Sequence, residues 1–188
     1  MAHAPANGTL FLVVGPSGAG KDTLIDGARA ALADHPGYRF ARRTITRPAD
    51  AGGEAHRAAT PAAFEAMTAA EAFALAWGAH DLRYGIPHAE LAPRNEGVHV
   101  IANVSRGILD AARATLQPVR VVSVIVPPAV LRARLLARGR ETEADVERRL
   151  ARAAALEVAG PDVRPVVNDR SVAEGVALFL DAIGAGAP

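Results

Sequence analysis

Apolar residues occur in short blocks, and two spacings alternate along the chain. Leu10-Phe11-Leu12-Val13-Val14 is an unbroken apolar run of strand length, which predicts a buried strand, and residues 23–32 follow with helical spacing. Residues 38–46 read as a second strand, and residues 47–60 as a loop rich in Pro, Gly and Ala. Thr60 is a helix-capping residue type and Pro61 suits a first helical turn, so a helix is expected to begin there. Residues 72–77 and 82–85 read as short extended pieces. Residues 98–104 and 119–126 read as strands, the second apolar on both faces and therefore interior to its sheet. Residues 128–137 and 142–155 predict two helices interrupted at Arg138-Gly139-Arg140. A last strand at 164–167 and a closing helix at 172–183 precede a tail, 184–188, that is expected to fray. Strands alternating with helices predict an α/β fold, a parallel sheet core flanked by helices.

Length and composition narrow the class. At 188 residues, half of them apolar and 22% charged, the chain suits a single folded domain. A formal net charge of +1 argues against a general nucleic-acid binder. The absence of cysteine removes disulfides, zinc–thiolate sites and thiol nucleophiles. Met1-Ala2-His3-Ala4-Pro5 lacks a charged start followed by an apolar core, so no signal peptide is expected. No apolar run approaches the ~20 residues of a membrane span, so no membrane partner is expected and the cytoplasm is the expected compartment.

The chain holds 21 basic residues, and all but Lys21 are arginines. That lysine closes Gly15-Pro16-Ser17-Gly18-Ala19-Gly20-Lys21, which fits the phosphate-binding loop G-x-x-x-x-G-K between a predicted strand and a predicted helix. Glycines there let backbone N–H groups turn toward a phosphate, the helix N-terminus adds partial positive charge, and the ammonium reaches the outer phosphates. The run 15–23 is therefore expected to bind a nucleoside triphosphate. The residue after the lysine is Asp22 rather than the usual Ser or Thr, with Thr23 next. Its carboxylate suits Mg²⁺, directly or through water, so Asp22 and Thr23 are the candidate metal residues. The alternative is that Asp22 only caps the helix.

Arginines are concentrated in two places. Arg42, Arg43 and Arg47 bracket Thr44 and Thr46, and Arg132 to Arg152 fill the two late helices and the turn between them. Some belong to solvated helix faces. The surplus over nearby carboxylates suits several phosphates, one group holding an acceptor and the other closing over a transferring phosphoryl group. After Ile101-Ala102, where a P-loop ATPase usually carries a metal-binding Asp, stands Asn103, followed by Val104, Ser105 and Arg106. A neutral amide there suits substrate hydroxyls better than a metal. His56, His80 and His88 lack metal-ligand spacing, and His35 and His99 read as structural or exposed.

Together these segments resemble the guanylate kinase-like group of P-loop kinases over nearly the whole chain. The resemblance implies an acceptor-binding region at about 40–90 and a mobile lid at about 138–150. Thr46-Arg47-Pro48, Gly53-Glu54 and Tyr84-Gly85 match the first, and Arg138-Gly139-Arg140-Glu141-Thr142-Glu143 with Arg149-Leu150 match the second. The glutamate that reads guanine just before the tryptophan is missing: Ala74, Leu75 and Ala76 precede Trp77. Ala49 and Asp50 replace a second phosphate arginine, and His56 stands about where those enzymes place a phosphate-binding tyrosine.

One branch, the ribose 1,5-bisphosphate phosphokinases, is similar at the departures themselves. It shares the Gly-Lys-Asp loop ending, Arg43 to Asp50, Gly52-Gly53-Glu54-Ala55-His56, residues 73–87, Asn103-Val104-Ser105-Arg106 and Gly139-Arg140-Glu141. This resemblance implies ATP-dependent phosphorylation of ribose 1,5-bisphosphate to 5-phospho-α-D-ribose 1-diphosphate, with Mg²⁺, in bacterial phosphonate breakdown. Lys21, Arg138 and Arg149 are then the catalytic candidates. Arg43, Arg47, His56, Tyr84, Asn103 and Arg106 are the substrate-binding ones. A nucleoside monophosphate kinase of altered base preference and a non-catalytic binding module stay as alternatives, the retained Lys21 counting against the second. Homodimerisation stays open.

Overall fold

The computed structural model describes residues 7–49, 54–137, 139, 142–154 and 158–186. β1 (Leu10–Val14) is buried at all five positions, as its unbroken apolar run requires. Burying side chains of this size stabilises the fold by about 1.5–3 kcal/mol each. It is the middle strand of a five-stranded sheet, flanked by β2 (Tyr38–Phe40), β7 (His99–Asn103), β8 (Val119–Ile125) and β9 (Val163–Val167) in the order β2-β7-β1-β8-β9. The outer pairs β2–β7 and β8–β9 run parallel. β8 is interior, as its apolar faces predicted.

The expected single strand over 38–46 is broken. Its first part, β2, belongs to the parallel sheet; its last part, β3 (Thr44–Ile45), belongs to a separate four-stranded sheet. The Ala41 N–H still bonds Ile101 O, but the Arg42 N–H turns to the Glu90 carboxylate at 2.9 Å and leaves the ladder. The second sheet adds β4 (Arg57–Ala58), β5 (Phe73–Ala79) and β6 (Leu82–Pro87) in the order β4-β3-β6-β5. β5 and β6 form an antiparallel hairpin whose two turn residues, His80 and Asp81, both take positive φ.

The described residues fall into two compact units. The first comprises Met1–Leu12 and Asp34–Arg120. It carries the four-stranded sheet, α2 (Pro61–Ala69), the short α3 (His88–Leu91) and α4 (Leu109–Thr115). Thr60 caps α2 as expected, its side chain accepting from the Ala63 N–H. Arg94 is buried, donating to Gly8 O, Leu116 O and Pro118 O, so its guanidinium ties the segment before β1 to the segment before β8.

The second unit comprises Val13–Ala33 and Val121–Pro188. It carries α1 (Lys21–Ala31), α5 (Pro128–Ala137), α6 (Glu143–Ala154) and α7 (Val172–Ala182), with α1 packed on α7. Ser171 and Glu174 close a reciprocal capping box on α7. Ser171 holds the Glu174 carboxyl below the usual carboxylate range.

Candidate active site

In the second unit, β1 runs straight into the loop Gly15–Gly20 and α1 begins at Lys21. Gly20 is the N-cap, at φ 83, and a Cβ there would lie 2.7 Å from Asn168 Nδ2. Only glycine meets both conditions, which is why the residue before Lys21 is Gly. The Lys21 ammonium donates to Gly15 O at 2.9 Å and Pro16 O at 3.1 Å, so it curls over the loop it closes. The buried Asn168 donates to Ala19 O at 2.7 Å, and Arg134 Nη1 reaches the same oxygen at 3.5 Å. Two residues remote in sequence therefore brace the loop. Asn168 went unread in the sequence; its signal is a polar residue directly after the apolar end of β9.

Ser17 is exposed, and Arg149 from α6 donates through Nη1 to its Oγ at 3.0 Å. The expected lid arginine is thus brought to the phosphate-binding loop. Arg138, the other catalytic candidate, lies outside the described residues, as do Arg140 and Glu141. Asp22 and Thr23 are exposed on the first turn of α1. The N-cap position of this helix is Gly20, which offers no side-chain cap, and Asp22 stands in its first turn. Among the described residues no cluster of three His, Cys, Asp or Glu could hold a metal ion. A carboxylate and a hydroxyl beside a phosphate loop nonetheless suit Mg²⁺, which takes one or two protein ligands and completes its shell with phosphate and water.

In the first unit, two of the residues expected to take the acceptor meet at the Glu54 carboxylate. Arg43 grips its carboxylate with both Nε (2.9 Å) and Nη2 (2.8 Å), and Asn103 Nδ2 donates to the same carboxylate at 2.6 Å. The Arg43 guanidinium also lies over the Tyr84 ring, 5.2 Å from its centre. Tyr84 in turn stacks on Trp77 at 5.5 Å with planes 7° apart. Tyr84 is followed by Gly85 because a Cβ at 85 would lie 2.5 Å from the Phe73 ring. Glu54 was legible only as half of the Gly53-Glu54 pair, and its role as the hub was not. Gly52, Gly53 and Asp50 lie outside the described residues.

Arg47 is held differently. Its Nη2 lies 3.3 Å from His56 Nδ1, its carbonyl oxygen 3.2 Å from His56 Nε2, and its buried Nε finds no partner among the described residues. His56 is buried, and Arg42 Nη2 donates to its carbonyl oxygen at 2.9 Å. Arg106 opens the turn after β7; loss of water around it pulls its pKa below the arginine value. Of the apolar residues before Trp77, where guanylate kinases carry a base-reading glutamate, Leu75 is buried and Ala76 is exposed. His99 is structural, accepting the Thr9 N–H at its Nδ1, and His35 bonds the Gly37 N–H.

No protein-family model matches the chain. Among curated proteins it is 44% identical over 176 residues to a bifunctional ribose 1,5-bisphosphokinase-thymidine phosphorylase of Roseobacter denitrificans, covering 94% of this chain. The chain spans only 26% of that bifunctional protein's length. It is 46% identical over 164 residues to the ribose 1,5-bisphosphate phosphokinase PhnN of Agrobacterium fabrum, covering 87% of this chain and 89% of that protein. In structure it is similar to a guanylate kinase from Anaplasma phagocytophilum, with a TM-score of 0.67 at 16% identity over 96% of this chain and 87% of the other. That likeness gives the fold, a guanylate kinase-like P-loop α/β architecture. The identity across nearly nine-tenths of both chains goes further: this chain belongs to the ribose 1,5-bisphosphate phosphokinase family.

Proposed function

We propose that this chain transfers the γ-phosphoryl group of ATP to ribose 1,5-bisphosphate, giving 5-phospho-α-D-ribose 1-diphosphate and ADP. The acceptor oxygen belongs to the 1-phosphate and not the 5-phosphate, because the diphosphate of the product sits on C1. One observation carries the choice of acceptor. The first unit gathers Arg43, Arg47 and His56 near Glu54, yet carries Leu75 and Ala76 before Trp77, where a guanine edge would need a carboxylate. A base left without its polar partner binds poorly. A sugar carrying only phosphates and hydroxyls asks for no such partner.

In this reading the chain works as one kinase domain, with acceptor region at about 40–90 and lid at about 138–150. The loop 15–20 and Lys21 hold the donor phosphates, and Arg149 meets the phosphoryl group from the side of α6. Asp22 and Thr23 would hold Mg²⁺, which when bound neutralises phosphate charge. Catalysis of this type is positioning and charge stabilisation, which needs cations and a rigid loop rather than a nucleophile.

The test is ADP release by purified protein offered ribose 1,5-bisphosphate and GMP in parallel. The expected kcat/KM for the sugar exceeds that for GMP by about a hundredfold or more, the discrimination that a missing polar contact gives. Comparable rates on the two would move the assignment to a nucleoside monophosphate kinase.

A further inference from the structure

A buried carboxylate inside a site for anions needs a reason. Glu54 and Arg43 keep only 8% and 13% of their side chains exposed, and their contact is the two-pronged fork that an arginine makes with a carboxylate. Removing either partner of a pair this enclosed leaves the other charge buried without its counter-ion, which is costly. Arg43 is therefore committed: Nε and Nη2 are spent on Glu54, and one face lies against Tyr84. The same carboxylate holds Asn103 Nδ2, which sets the amide's orientation at the end of β7. Residues 43, 54, 84 and 103 come from four separate stretches of chain, and Glu54 bonds two of the other three.

We infer that Glu54 is the positioning residue of the acceptor side, and that Arg43 is its counter-ion and scaffold rather than a phosphate ligand. The inference rests on the kinase reading above. The pair is electrically neutral, so it neither draws in nor repels a bisphosphate. Its work is to hold Tyr84 and Asn103 at fixed places. Arg47, whose guanidinium leans on an imidazole and leaves Nε without a partner among the described residues, is a cation that can meet phosphate.

A double-mutant cycle tests this, using Arg43→Gln, Glu54→Gln and the double variant. The readouts are acceptor KM, ATP KM, kcat and calorimetric titration with ribose 1,5-bisphosphate alone. Each single variant should raise the acceptor KM and Kd roughly tenfold to a hundredfold, up to the loss that an ångström-scale misplacement of a substrate causes. ATP KM should move by no more than about twofold, and the double variant should be no worse than the worse single, because both remove one shared contact. Losses that multiply, or a Glu54→Gln protein that binds the acceptor as well as or better than wild type, would make Arg43 a phosphate ligand and overturn the inference. If the glutamine variants do not fold, Asn103→Ala leaves the ion pair in place. It should raise acceptor KM about tenfold with ATP KM unmoved, and an unchanged acceptor KM overturns the inference. A wild-type protein inert toward ribose 1,5-bisphosphate defeats the functional reading instead. The cycle then runs on whichever phosphorylated acceptor the wild type does use.

Discussion

Arg149 on α6 donates through Nη1 to Ser17 Oγ in the phosphate loop, at 3.0 Å. A residue 132 positions away in sequence thus reaches the tip of the loop. If this contact aims Arg149, Ser17→Ala should lower kcat about three- to tenfold, the worth of one ordinary hydrogen bond. Arg149→Ala should cost about a hundredfold, as expected for a group that stabilises transferring charge. Steady-state kinetics on the double variant checks the link: its rate should match Arg149→Ala alone, since the two changes remove one interaction. A further drop would separate the roles of the two residues.

Lys21→Ala should reduce kcat a hundred- to a thousandfold, about 3–4 kcal/mol, because its ammonium acts on phosphate charge. Two of its partners are carbonyls of the loop itself, so the melting temperature should hold. Lys21→Arg should not restore the rate, since a planar fork does not replace a compact charge in so tight a loop. A variant retaining more than about a third of the wild-type rate would contradict the loop's role.

Asp22→Asn tests the metal. Because α1 is capped by Gly20 and by no side chain, the substitution should leave thermal stability in place. It should raise the Mg²⁺ concentration that gives half-maximal rate several-fold, as expected when a charged oxygen ligand becomes neutral. Unmoved metal dependence together with a loss of about 1 kcal/mol in stability would instead assign Asp22 to the helix start.

His99 sets a pH dependence of stability. Burial first, and the nearby charge of His35 second, hold its pKa below the ordinary 6.5. Its Nδ1 accepts the Thr9 N–H, which needs that nitrogen unprotonated, and its ring packs beside Phe11 and Tyr38, which keep water from it. The unfolded chain therefore takes up a proton near 6.5 that the folded chain refuses, so stability is full above that pH and falls as pH drops below it. Urea midpoints measured on either side of pH 6.5 should show the fall, and His99→Asn, which keeps an acceptor but cannot titrate, should flatten it. An unchanged slope in the variant would remove His99 from the account.

The parts of the fold that local chemistry decides were legible in the chain. β1 announces itself by five apolar residues in a row, α2 by Thr60 and Pro61, and the phosphate loop by glycines that a single residue type can fill. What was not legible depends on distant partners. The break of 38–46 into β2 and β3 comes from Glu90 capturing the Arg42 N–H, 48 residues away. α4 was missed because it is short, rich in alanine and buries only Leu109 and Ala112, too few positions to show a helical period. The candidate site divides the same way. Lys21 and the loop stood out, whereas Glu54 became central only through Asn103, 49 positions away, and Asn168 only through Ala19, 149 positions away.

Trp77 is the chain's one tryptophan, and it lies flat against Tyr84 on the same ring that Arg43 overlies. All indole emission therefore originates next to the proposed acceptor residues, and the protein carries its own optical reporter there without any label. A ligand that shifts Tyr84 changes the surroundings of that one fluorophore, so acceptor occupancy can be followed in real time, on the unmodified chain, before any phosphoryl group has moved.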